Sequence, residues 1–507
     1  MINIKRRLSF LDYIVFIITI LALLPLIIFF LEGIQSFLRD GINFGSQGYD
    51  DINGTIKLVL YTSIIGSSLG ITNGWLLSAC KFPWKNKLKL AQLIPLATPA
   101  YLITAITIDL GSIFGITISG MPWAVIILAI TTYPYVFILS TESFSKYGTN
   151  QLEACRSLGI GPWKSFFRVA LPMALPAIGA GVALMGMEVI NEFGAVQMLN
   201  IQTLSAGIYE NWVLQGNPSG AIGLSLIALI SVFTLISIEK YSRRKGRRWT
   251  DDPSGEKTQK WELKGIKSII AILFCLFPPL FALGTIFFWI FINLDRIPTE
   301  LNSDLILITS RTLLLGLITA LIAVSASLIL SVIKRWNKSF LMKALTFSAG
   351  IGYAIPGTVF AISLLSLGNF GVSIFPIALL IWGYSDRFLA VSKSTLDSAF
   401  ERISSSFDEA ASGLGQSKST VIKKIHLPLL KGPLIVSSLL VFVDTIKELP
   451  LTFILRPFDF DTLSVRVFQY AGDERMGDAI LPALIITILG LIASLSLIPA
   501  LDNRTRN

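Results

Sequence analysis

Four carboxylates stand in two pairs, Glu188 with Glu192 and Asp444 with Glu448, and the second pair follows the first by 256 residues. Within each pair the spacing is i, i+4, so on a continuous helix both acids share a face. Sixteen residues separate Pro172 from Glu188, about 24 Å of helical rise, which predicts that each pair lies near the outer end of an apolar run. Acids in or at the edge of a membrane span are costly and face a cavity or a partner. Their oxygens suit a hard cation. The same acids could instead form an ion-pair network with Lys447 and Arg456 at a docking face, and the residue pattern favours that network over direct ion contact.

Other chemistry is thinly represented. No G-x-x-x-x-G-K-[ST] stretch occurs; Gly413-Leu414-Gly415-Gln416-Ser417-Lys418 has the wrong spacing for a phosphate loop. His426 is the only histidine, which excludes a Ser/His/Asp or Cys/His site that also orients a substrate. A lone histidine beside Leu427-Pro428 reads as a packed or surface residue. Cys80, Cys155 and Cys275 lack partners at metal-ligand spacing, so neither a disulfide framework nor a zinc site is expected. The chain is not expected to be an enzyme or to bind a cofactor, and any use of ATP falls to a separate subunit.

The carboxylate pairs belong to a longer repeat. Glu153-Ala154-Cys155-Arg156-Ser157-Leu158-Gly159 returns as Glu409-Ala410-Ala411-Ser412-Gly413-Leu414-Gly415, and Leu171-Pro172 as Leu427-Pro428, in one gapless register. Asn150 and Ser406 each stand three residues before the glutamate, which predicts a capping box. A short helix then ends at Gly159 or Gly415, where positive φ is available. A second short basic helix follows, opened in the first copy by Pro162. Each copy thus carries a helix, a glycine turn and a helix, a compact knob. Two knobs related by a two-fold suit a partner that is itself a two-fold dimer.

Composition fixes the class that must position these loops. The chain is 53% hydrophobic and 15% charged, with mean hydropathy +0.69, against about 25% charged residues in a soluble domain. Apolar runs near 14–31, 57–79, 89–107, 122–140, 173–195 and 220–238, and again near 268–292, 312–333, 345–367, 373–391, 433–455 and 479–501, predict an all-α membrane protein of about 12 transmembrane helices. They form two parallel six-helix repeats: a first module over 1–239, a basic linker over 240–266, and a second module over 267–507. The linker reads as a polar tether without apolar periodicity. With both termini cytoplasmic, the cytoplasmic segments hold 34 of the 42 Lys and Arg residues, as the positive-inside rule requires. The first apolar run is span-length with no A-x-A site after it, so it reads as an uncleaved span. The net charge of +10 reflects sidedness and the lipid surface, not a nucleic-acid partner.

The E-A-C-R-S-L-G…L-P and E-A-A-S-G-L-G…L-P stretches resemble the "EAA" loop of permease subunits of binding-protein-dependent ABC importers. That resemblance covers nearly the whole chain; Cys155 stands where the family commonly has Ala. It implies a type I permease-like fold of an ABC transporter in a bacterial plasma (inner) membrane. It also implies that Glu153, Ala154, Gly159, Glu409, Ala410 and Gly415 belong to loops docking on an ABC ATPase subunit, a homodimer, and that a periplasmic solute-binding protein delivers the cargo. The segment Lys447-Glu448-Leu449-Pro450, then Leu455-Arg456-Pro457-Phe458 and Phe460-Asp461-Thr462-Leu463, resembles a block of ferric-iron permeases, which implies Fe3+ as cargo. The alternatives are thiamine or another small solute, a secondary transporter built of parallel repeats, and a membrane scaffold without transport.

Overall fold

The computed structural model describes residues 10–41, 43–146, 155, 157–247, 261–296, 303–371 and 374–496. Helices dominate. In chain order they are α1 (Phe10–Asp40), α2 (Gly48–Ala79), α3 (Lys85–Ala97), α4 (Ala100–Ile113), α5 (Met121–Lys146), α6 (Pro162–Asn191), α7 (Gly194–Met198), α8 (Leu204–Tyr209), α9 (Pro218–Arg247) and α10 (Ile266–Ile292). Then come α11 (Ser303–Trp336), α12 (Phe340–Ser348), α13 (Gly357–Leu365), α14 (Pro376–Phe400), α15 (Ser406–Gly413), α16 (Lys418–Leu429), α17 (Lys431–Ile446), α18 (Pro450–Leu455), α19 (Leu463–Gly472) and α20 (Met476–Ser496).

Among the described residues seven helices are long and apolar enough to cross a membrane unbroken, and two pairs that reach that length and apolarity only together are bent, α3 with α4 at 86° and α16 with α17 at 76°. The breaks fall at prolines. Pro99 opens α4 after an extended Thr98, as the residue before proline is driven out of the helical region. Pro433 has no N–H for the Leu429 carbonyl, and α16 and α17 part at Leu430. Pro356 follows an extended Ile355 and divides α12 from α13. Several predicted spans are therefore interrupted, each by a residue that cannot donate to the helix ladder.

The chain forms two compact units: Met1–Arg39 with Glu300–Arg466 and Leu495–Asn507, and Asp40–Thr299 with Val467–Ser494. In the first unit α1 packs on the second repeat: Val15 and Ala22 share a core with Leu330, Ile333, Met342 and Leu389, and Trp382 Nε1 donates to the Leu21 carbonyl at 3.2 Å. In the other unit α10 packs on the first repeat. Ala271 and Cys275 meet Leu77 and Tyr133, Gln92 Nε2 donates to the Cys275 carbonyl at 2.7 Å, and Trp289 Nε1 reaches Asp109 at 2.6 Å. Each repeat's leading span thus packs with the other repeat.

The linker is not wholly a tether. Residues 248–260 lie outside the described ones. Trp261–Glu262 pairs in parallel with Cys80–Lys81, and the Trp261 ring lies 5.5 Å from Trp75. An indole placed on another indole removes apolar surface from water, which the polar flanking sequence hid.

Candidate functional site

The repeated loop is built alike in both copies. In the second, α15 ends in a left-handed turn: Gly415 has φ +70°, its N–H reaches the Ser412 carbonyl at 3.0 Å, and Gln416 N–H reaches the Ala411 carbonyl at 3.0 Å. In the first, Gly159 has φ +71° and Ile160 N–H reaches the Cys155 carbonyl at 2.8 Å, the equivalent bond. These six-to-one bonds are the Schellman closure of a helix. A Cβ at either glycine would meet nothing within 4 Å, so conformation alone demands glycine there. Asn150, Glu153 and Ala154 lie outside the described residues.

The capping box expected at Ser406 does not form. The helix begins one residue early, with Ser405 as an unbonded cap, because Ser406 N–H is taken by the Ser404 hydroxyl at 3.3 Å. Glu409 and Ala410 are exposed. So are Leu158 and Leu414, at 77% and 78%, equivalent apolar side chains at the tips of the two knobs. The sequence reading noted their identity and passed over them as site residues.

After the turn both copies widen into one π-helical turn, Phe166–Ala170 and Ile422–His426. Pro172 and Pro428 supply the reason: each lacks an N–H and crowds the carbonyl four residues back, and one wider turn relieves that crowding. Leu171 N–H accordingly bonds the Phe166 carbonyl and Leu427 N–H that of Ile422.

The second loop is also clasped from the side. Asp408 accepts from Arg335 at 2.6 Å, from Trp336 Nε1 at 2.9 Å, and lies 2.9 Å from His426 Nε2. His426 is fully buried between Trp336 and Phe400, a packed residue as expected. Burial alone would raise the Asp408 carboxyl; hydrogen bonds from Trp336 and Arg335 outweigh it and hold it below the usual carboxylate range. Burial pushes the His426 imidazole below its ordinary value, against the pull of Asp408.

The carboxylate pairs do not share helix faces. α6 ends at Asn191 and α17 at Ile446, so Glu192 and Glu448 lie just beyond their helices. Each turns back to cap the next short helix. Glu192 accepts from Ala195 N–H at 2.9 Å, and Glu448 accepts from Leu451 N–H at 3.1 Å and Thr452 N–H at 3.2 Å. Glu188 remains on α6, and Asp444 on α17 pairs with Lys447 at 2.8 Å. Arg456 bonds a separate acid, Asp461, which Arg466 also reaches at 2.9 Å, while Lys447 pairs with one of the four acids.

Burial is the further finding: Glu448, just past the 16 residues of α17, is only 6% exposed. Its partner is Arg387 at 3.3 Å, midway along α14. The positive-inside count assigns Arg387 to a cytoplasmic stretch near 386–431, although the apolar run near 373–391 also contains it.

One more device escaped the sequence reading. Thr203-Leu204-Ser205 and Thr462-Leu463-Ser464 lock the segment after each short helix. Ser205 and Ser464 donate to the Glu192 and Glu448 carbonyls at 2.5 and 2.7 Å. Leu204 and Leu463 N–H donate to Thr55 and Thr312 at 2.8 and 3.0 Å. The two T-L-S triplets were visible, but their offset of 259 departs from 256. Among the described residues no group of three or more His, Cys, Asp or Glu is arranged to hold a metal ion.

The family described as "Binding-protein-dependent transport system inner membrane component" matches residues 66–247 and again 324–507. The chain is 23% identical over 447 residues to the Fe(3+)-transport system permease protein FbpB 2 of Haemophilus influenzae, covering 86% of this chain and 87% of that protein. It is 28% identical over 215 residues to the sulfate transport system permease protein CysT of Escherichia coli, covering 38% of this chain and 76% of that protein. The molybdenum transport system permease protein ModB of Escherichia coli is also 28% identical, over 212 residues, covering 38% and 92%.

Proposed function

We propose, from the premise that this chain belongs to the family of inner-membrane components of binding-protein-dependent transport systems, that it is the fused permease of an ATP-driven importer of Fe3+. Membership makes it a multi-pass inner-membrane protein working with a binding protein and a separate ATPase, and not an enzyme. The observation that carries the iron reading is length. The Fe(3+) permease aligns across both repeats, whereas the sulfate and molybdenum permeases align with 38% of the chain.

In this reading both termini are cytoplasmic and each knob enters a groove of one subunit of a homodimeric ATPase. Glu409, Ala410 and Leu414 form one contact surface; Glu153, Ala154 and Leu158 form the other. Gly159 and Gly415 aim them. Closure of the ATPases moves the knobs, and the widened turn before each Leu-Pro passes the motion into α6 and α17. The short helices capped by Glu192 and Glu448 end those spans inside the membrane, where a cargo leaving the binding protein outside would arrive. Membrane lipid surrounds the spans.

Uptake by cells lacking other iron importers tests this directly. Radiolabelled Fe3+ should enter only when the chain, its ATPase and its binding protein are present, should require ATP, and should survive an uncoupler. Thiamine, sulfate or molybdate uptake that depends equally on the chain would overturn the iron assignment. Uptake abolished by the uncoupler with ATP maintained would favour a secondary transporter.

A further inference from the structure

The second repeat holds a buried charge that nothing balances. Asp386 and Arg387 are consecutive on α14 and only 5% and 8% exposed. Arg387 is committed to Glu448. Both Asp386 carboxylate oxygens lack a hydrogen-bond partner, and so do the nearby Ser385 hydroxyl and Arg387 Nε. As formal charges, Asp386, Arg387 and Glu448 sum to a single negative charge in the buried interior.

The backbone around this centre is interrupted twice. Asp386 faces the break between α12 and α13, where a Cβ at Gly352 would lie 3.2 Å from its Oδ1. Arg387 and Glu448 face the end of the same break: a Cβ at Gly357 would collide with Arg387 Nη1 and come within 3.0 Å of Glu448 Oε1. Glycine at both positions lets the interrupted backbone pack directly against these charged groups, Gly352 also against the Asp386 carbonyl. Glu448 itself marks the second break, between α17 and α18. Interrupted helices around an ionisable centre at mid-depth are the usual means of exposing polar backbone to a passing ion.

An ionised carboxylate without donors cannot persist in such surroundings. It must carry a proton or a cation. We propose that Asp386 is a transit site for cationic cargo inside the permease, with the Arg387–Glu448 pair held beside it against the interrupted backbone at Gly357. When cargo is absent the carboxyl holds a proton. When the cation arrives the O–H bond breaks, the proton leaves to water accompanying the cargo, and the carboxylate oxygens take the metal without change of oxidation state. A single negative charge there repels sulfate or molybdate and favours a hard cation. The proposal rests on the cationic-cargo reading above.

The test is radiolabelled Fe3+ uptake in cells lacking other iron importers and carrying the chain with its ATPase and binding protein. Asp386→Asn should lower uptake about ten-fold or more, as loss of one member of a buried charge interaction does. Asp386→Glu should keep part of the rate, and the exposed Asp473→Asn all of it. The melting temperature of purified Asp386→Asn should equal or exceed that of the wild type, because the change removes an unpartnered acid. Wild-type uptake in Asp386→Asn overturns the transit site and leaves the iron reading standing. Lost uptake with a lowered melting temperature overturns it too, in favour of a structural carboxyl. A wild type that imports molybdate and not iron overturns both readings.

Discussion

Glu192 and Glu448 occupy the same place in the two repeats and live in different electrostatic worlds. Both cap a short helix, and both lend their carbonyl to the serine of a T-L-S triplet. Glu448 also meets a guanidinium. The residues equivalent to Asp386 and Arg387 in the first repeat are Ile130 and Thr131, and Thr131 bonds only to carbonyls of its own helix. No ion pair reaches Glu192 among the described residues. The two repeats share this backbone scaffold and differ in the charge set on it.

The sharpest way to break that comparison is to remove the guanidinium. Arg387→Met strands a buried Glu448 and should cost about 3–5 kcal/mol, read as a fall in melting temperature and in folded protein in the membrane. Arg387→Met with Glu448→Gln should recover most of it. Glu192→Gln removes no ion pair and keeps an oxygen for Ala195 N–H, so its effect should stay within about 0.5 kcal/mol. Equal losses from Glu192→Gln and Arg387→Met would show that the two halves are electrostatically alike after all.

The glycine turns test the other side, where the copies agree. Val at Gly159 or Gly415 must adopt φ near +70°, a strain of about 1–2 kcal/mol, with no steric clash to confuse the result. The spans should insert normally. Each single variant should lose part of the uptake and of the membrane-bound ATPase, and the double variant nearly all. Unchanged recruitment and uptake in the double variant would reduce the knobs to interfacial helices.

These turns were legible because glycine, Leu-Pro and the glutamates hold one register over the whole repeat. The carboxylates' true setting was not. An i, i+4 spacing implies a shared face only if the helix continues, and Gly194 and Pro450 mark where it does not. Arg387 was missed because its charge counts it with the cytoplasmic residues, although the apolar run near 373–391 contains it and a partnered charge can lie inside a span. The exchange of α1 and α10 is a tertiary matter that no local pattern encodes. Both leading spans fall outside the family match at 66–247 and 324–507, while that match does include α20, which clusters with the first repeat.

A smaller difference lies at the loops. Asp408 and His426 clasp the second one, while Leu152 and Ala170 stand at those positions in the first. The Asp408 carboxyl is held low and the His426 imidazole is held low, so the unfolded loop binds more protons than the folded one, and stability rises with pH. The His426 contribution is complete above about pH 6.5 and fades as pH falls below it; that of Asp408 is complete above about pH 3.9 and fades below. The protection factors of amides over 404–427, which correct for the intrinsic pH dependence of exchange, should therefore fall between about pH 7 and pH 5. Asp408→Asn should weaken protection there by about 1–2 kcal/mol, the worth of charge-assisted bonds to Arg335 and Trp336. A fall in protection of equal size in the first loop would deny the clasp its role.

The smallest effect concerns how the repeats hold their helices together. In the first, α2 meets α5 through Gly70 and Gly74: a Cβ at Gly70 would lie 2.9 Å from Phe137 N, and one at Gly74 2.5 Å from the Ser140 hydroxyl. In the second, the equivalent positions on α11 are Ser327 and Ser331. Ser327 bonds Ser392 on α14, Ser437 on α17 donates to Ser392 at 2.7 Å, and Ser331 donates to Asp397 at 2.7 Å. One repeat uses close backbone approach and the other hydroxyl bonds, the two devices available where lipid removes the hydrophobic drive between helices. Interhelical hydrogen bonds in membranes contribute only about 0.6 kcal/mol on average, because the separated helices find other partners. Ser327→Ala should thus lower stability by about that amount, since Ala fits the space and Ser392 keeps its bond from Ser437. Gly70→Ala should cost more, since its methyl meets backbone that cannot rotate aside. Chemical denaturation of the two variants in one detergent decides it: a larger loss from Ser327→Ala than from Gly70→Ala would mean that the hydroxyls, and not the close approach, are what hold a repeat together.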